Sequence, residues 1–75
     1  MTENEIISAC AVSEANKCRV VDEYGCTYII RHDGVGWTYC RDNSTGCIIP
    51  MPNLSAVLDE VKPVAFKPWK YNRNR

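Results

Sequence analysis

The segment CRVVDEYGCTYIIRHDGVGWTYCRDNSTGCII (18–49) constrains the fold more than any other part of the chain. It alternates β-branched and aromatic runs with short breaks at DEYG, DG and STG. Each break suits a tight turn between antiparallel strands. Gly25 and Gly46 can take the left-handed position that closes a type I turn, and Asp33-Gly34 fits a two-residue primed turn. The pattern predicts an antiparallel meander of three to four strands, roughly 18–22, 26–32, 36–41 and 47–51.

The turns also set a register. If DEYG closes the first hairpin, Val20 faces Tyr28 and Cys18 faces Ile30. If DG closes the second, Ile30 faces Trp37 and Tyr28 faces Tyr39. Side chains alternate between faces along a strand. One face then collects Cys18, Val20, Cys26, Tyr28, Ile30, Trp37 and Tyr39, and is the expected core. The other collects Arg19, Val21, Thr27, Ile29, Arg31, Thr38 and Cys40, and is expected to be mostly wet. A second hairpin two residues longer, closed by DGVG, leaves this division unchanged.

A helix should follow the sheet. In PNLSAVLDEVKP, Asn53 suits an N-cap, and Leu54, Val57, Leu58 and Val61 fall at i, i+3, i+4 and i+7 before Pro63. The N-terminus has two readings. TENE is a capping box with Thr2 at the cap and Glu5 three residues on. In that reading Ile6, Ile7, Cys10 and Ala11 face inward. EIISACAV also fits a buried strand that would turn the meander into a small barrel, and the helix is preferred. The predicted class is therefore α+β: a small antiparallel sheet packed by a C-terminal helix and an N-terminal one, spanning 1–66.

Seventy-five residues make one small domain. Such a chain buries only about 60% of the surface its unfolded form exposes, leaving little core to carve into a cleft. The N-terminus has no basic, apolar signal pattern, and no stretch approaches the ~20 apolar residues of a membrane span. The chain reads as a cytoplasmic protein whose five cysteines are reduced thiols. Structural zinc sites present close cysteine pairs, and none occurs here. Cys18 and Cys26 fall at opposite ends of their hairpin, about four residues (~13 Å) apart, too far for a shared ion or a disulfide. Cys40 and Cys47 flank the third turn as a weak diagonal pair. No metal or cofactor is implied.

The charge is balanced in total and lopsided in place. Residues 1–66 hold nine acids and five bases, a net −4, whereas 67–75 (KPWKYNRNR) hold four bases and no acid. This basic, aromatic tail carries Lys67, Trp69, Lys70, Tyr71, Arg73 and Arg75. That mixture suits an interface with another protein, where Trp, Tyr and Arg dominate the energy. It also suits phosphates and bases.

Catalysis finds little footing. The one histidine, His32, sits beside Asp33 at a predicted hairpin tip with no pocket in prospect. No nucleophile elbow, phosphate loop or HExxH pattern appears. Asp59 and Glu60 are helix neighbours pointing about 100° apart, which suits a solvated face. Tyr28, Trp37 and Tyr39 would make a base-stacking platform only if their face were open, and the helices need that face. The expectation is a non-catalytic protein-binding module that inhibits or regulates a larger partner, with the small build of proteins encoded by phages and mobile elements. Homo-oligomers through sheet edges are open to it. Nucleic-acid binding through the tail is the alternative.

Overall fold

The computed structural model describes residues 1–42 and 48–67. Among them run α1 (Glu3–Ala11), β1 (Lys17–Val21), β2 (Thr27–His32), β3 (Trp37–Arg41), β4 (Ile49–Met51), α2 (Leu54–Val61) and β5 (Ala65–Phe66). The strands form one antiparallel sheet in the order β4-β3-β2-β1-β5. The fold is α+β, with both helices packed on one sheet face. No described helix is long and apolar enough to cross a membrane.

The N-terminal segment is a helix because its first turn is doubly satisfied. The Thr2 N–H donates to Glu5 Oε1 at 2.8 Å, and the Glu5 N–H donates to Thr2 Oγ1 at 3.3 Å. The second bond meets one of the amides a helix leaves orphaned at its start. The Thr2 N–H, helped by the Thr2 hydroxyl donating to the same oxygen at 3.3 Å, holds the Glu5 carboxyl below its usual pKa. At α2, Asn53 Oδ1 accepts from the Ala56 N–H at 2.8 Å. The helix ends on Lys62 in the left-handed region (φ 52°), immediately before buried Pro63.

The first hairpin has the register the DEYG turn implies, with Val20 opposite Tyr28 and Cys18 opposite Ile30. Gly25 takes its positive φ of 84°, and Asp22 Oδ1 accepts from the Tyr24 and Cys26 amides at 2.9 Å each. The second hairpin departs from the two-residue turn. His32 pairs with Trp37, Ile30 with Tyr39 and Tyr28 with Arg41, so the four residues Asp33 to Gly36 form the loop. The reason lies in Asp33. Its Oδ1 accepts from the Val35 N–H at 2.9 Å and the Gly36 N–H at 2.8 Å, a side-chain cap that the shorter turn would forfeit. Because the shift is two residues, every side chain keeps its face.

One strand goes beyond the predicted meander. β5 lies beside β1, with Phe66 opposite Val20 and Ala65 opposite Val21. The third turn, with Gly46 and Cys47, lies outside the described residues.

The core occupies the helix side of the sheet. Ile6, Cys10, Cys18, Val20, Ile30, Leu54, Val57 and Val61 are buried there, and Tyr28, Trp37, Tyr39 and Met51 pack around them. The aromatic face is thus covered, with Tyr28 and Tyr39 meeting edge to face at 6.4 Å. The opposite face is less wet than alternation suggests. Thr38 is only 9% exposed, and Val21, Ile29 and Cys40 are half-buried. Across it the Arg19 guanidinium is ion-paired with Asp42, which also accepts from the Thr27 hydroxyl at 3.4 Å.

Candidate functional site

The two helices use their apolar residues differently, and that difference makes a site. Along α1, Ile6 and Cys10 lie one turn apart and point into the core. Ile7 and Ala11 make the same i, i+4 pair about 100° further round the helix. They are exposed, Ile7 by 45%, where the sequence pattern predicts inward-facing residues. The sheet does not reach beneath them. What lies there is the end of the sheet where β1 begins, β2 finishes and β3 starts.

The gap is a cavity of about 320 Å³ lined by Ile7, Cys10, Ala11, Asn16, His32 and Trp37. This corrects the expectation that His32 has no pocket near it. Asn16 adopts a left-handed φ of 53°, which asparagine tolerates, and its carbonyl accepts from the His32 N–H at 3.0 Å. Across the last rung of the β2–β3 ladder, the His32 and Trp37 rings meet edge to face at 4.8 Å. His32 Nδ1 accepts from the Gly34 N–H at 3.3 Å, which fixes the imidazole over the hairpin. The walls are mostly apolar and preset by packing. Val12 and Val35, adjacent in sequence to the lining helix and inside the hairpin loop, are 88% and 96% exposed.

The cavity brings a cysteine and the histidine together without the geometry of a catalytic pair. An activated thiol needs its base in hydrogen-bond reach. The Cys10 thiol instead donates to the Ile30 carbonyl at 3.8 Å. The neighbouring Cys18 pulls the Cys10 pKa down against the upward push of burial, and Cys10 pushes that of Cys18 up alongside it. Among the described residues, no group of three or more His, Cys, Asp or Glu side chains could hold a metal ion.

Of the residues the sequence offers as partner-binding, only Lys67 is described. It is exposed, and its N–H donates to the Arg19 carbonyl at 2.8 Å. Trp69, Lys70, Tyr71, Arg73 and Arg75 lie outside the described residues. Glu3, Glu5, Asp59 and Glu60 are exposed on the helices, and the register puts Lys17, Arg19 and Arg31 on the helix-free face, where Arg19 pairs with Asp42. The pocket itself escaped the sequence reading, although two adjacent i, i+4 apolar pairs on a nine-residue helix signal a stripe wider than one sheet face covers.

Comparison of the chain with family models, with curated protein sequences and with solved structures finds no match.

Proposed function

We propose that this chain is a non-catalytic binding module that docks on a larger protein and inhibits or regulates it, using the pocket between α1 and the β2–β3 hairpin. The observation that carries the reading is the exposure of Ile7 and Ala11 beside Trp37 and His32, around a preformed apolar cavity. Pockets that hold whole small molecules run from roughly 300 to 1,000 Å³. This one sits at the bottom of that range, with room for a large apolar side chain of a partner. Burying one such side chain contributes roughly 1.5–3 kcal/mol, on the order of ten- to a hundredfold in affinity. The sheet edges are poorer seats for added strands. β4 carries Pro50, and β5 has only two residues. The cytoplasm of a cell carrying a phage or mobile element is the setting this reading favours.

The experiment is co-purification from the native host with the wild-type chain and with Ile7→Glu. A stoichiometric protein retained by the wild type and lost with Ile7→Glu supports the reading. Equal retention by both, or none by either, ends it.

A second reading, nucleic-acid binding through the tail, draws on Lys17, Arg31 and Lys67 lying on or beside the helix-free face. Neutralising phosphates makes affinity fall steeply with salt. Retention on heparin at low salt, lost on deleting 67–75, would favour it. No retention removes it.

A further inference from the structure

The pocket floor contains a second chemistry, independent of what docks there. We infer that Cys10 and Cys18 form an oxidant-responsive dithiol, in which a peroxide entering the pocket oxidises Cys10 and Cys18 then closes a disulfide between α1 and β1.

The geometry argues for the pair in two ways. Cys10 and Cys18 are 3% and 4% exposed and belong to the same buried cluster, where α1 lies against β1. The Cys10 thiol reaches the Ile30 carbonyl, and Ile30 is the residue directly opposite Cys18 in the β1–β2 ladder. Both are buried, but Cys10 is among the residues lining the cavity and Cys18 is not, so a small reagent arriving through the pocket meets Cys10 first. Attack and resolution are therefore divided by position.

Pairing of the two thiols also divides the protons: Cys18 pulls the Cys10 pKa down, and Cys10 pushes that of Cys18 up. When Cys10 ionises, the Cys18 S–H remains as a donor to the sulfur anion, which favours the Cys10 thiolate and holds the proton on Cys18. The thiolate is the nucleophile in such chemistry. It attacks one oxygen of hydrogen peroxide, the O–O bond breaks, and the departing hydroxide takes a proton to become water. Cys10 is left as the sulfenic acid. Cys18 then attacks the Cys10 sulfur and releases its own proton, and the sulfenic oxygen leaves as a second water. Two thiols and one peroxide thus give one disulfide and two waters, with the sulfurs oxidised and the peroxide reduced. In a reducing compartment such a bond is transient, as a sensor requires.

The bond would tie the helix that forms one pocket wall to the strand beneath it, so oxidation would reach the pocket directly. Three cysteines elsewhere in the chain (Cys26, Cys40 and Cys47) serve as internal competitors.

The test treats the folded full-length chain with hydrogen peroxide, blocks remaining thiols under denaturing conditions, and maps tryptic peptides by mass spectrometry. Trypsin cuts after Lys17, so a Cys10–Cys18 bond appears as two joined peptides, lighter by two hydrogens than the reduced pair. The expected result is that link as the dominant product, formed several-fold faster in the folded chain than in urea. In Cys18→Ala, which leaves the attacking thiol in place, dimedone should trap a sulfenic acid at Cys10. Recovery of both thiols alkylated, a dominant link through Cys26, Cys40 or Cys47, or equal rates in folded and urea-unfolded chain would overturn the inference. Because the wild-type map stands alone, a poorly folded Cys18→Ala does not blunt the test.

Discussion

The two helices begin alike and end differently. Both are side-chain capped, both pack on the same sheet face, and their lengths differ by one residue. Yet α2 buries Leu54, Val57 and Val61 and half-buries Leu58, whereas α1 buries Ile6 and Cys10 and leaves Ile7 and Ala11 at the rim of a cavity. A small domain has little apolar surface to spare. One helix that keeps its stripe inside and one that leaves half of it outside therefore divide the labour. α2 gives its whole stripe to the core, whereas α1 leaves Ile7 and Ala11 open, the surface that the proposed docking uses.

The largest expected effect lies on α2. Leu54→Ala should cost about 2–5 kcal/mol, because it deletes buried methyl groups and leaves a cavity. On a thin stability margin, urea denaturation should find much of the chain unfolded even without denaturant. If the midpoint barely moves, α2 is not the structural helix. Thr2→Ala should cost about 1 kcal/mol through loss of the α1 cap, read from the same denaturation curves. An unchanged curve would show that α1 is held by packing alone.

Ile7→Ser should shift stability by less than about 0.5 kcal/mol, since the side chain is already half in water. Its expected consequence is loss of the partner with the fold intact. A large destabilisation instead would place Ile7 in the core and erase the contrast between the helices.

The hairpin wall of the pocket has its own weak point in pH. The Gly36 and Val35 amides hold the Asp33 carboxyl below its ordinary pKa. A depressed folded pKa stabilises the native state above the unfolded value of about 4 and loses that contribution as pH falls through the lower folded value. Amide exchange at Val35 and Gly36 should therefore be protected near neutrality and quicken, relative to the sheet, in strong acid. Asp33→Ala should show the quickened pattern at all pH values. Protection that persists unchanged in acid would mean the carboxylate does not hold the loop.

Local chemistry made most of this architecture legible. Gly25 and DEYG set the first hairpin, Thr2 with Glu5 set α1, and Asn53 set α2, because each acts through neighbours a few residues away. The second hairpin was less legible, since Asp33-Gly34 satisfies a two-residue turn as well as a four-residue loop, and only the Asp33 cap decides. β5 rests on two residues whose strand character comes from β1, more than forty positions earlier in the chain. The pocket and the thiol pair depend on where the sheet stops beneath α1 and on how Cys10 meets Cys18 across the α1–β1 connection. Periodicity says which residues share a helix face, but not how wide a face the partner layer can cover.

Photo-crosslinking in the native host tests the central claim most directly. A photoreactive residue would be placed at Ile7, and in a second chain at Glu60 on the exposed side of α2. A discrete protein adduct from position 7 and none from position 60 is the predicted result. An adduct from position 60 alone, or none from position 7, would contradict the assignment of α1 as the docking helix.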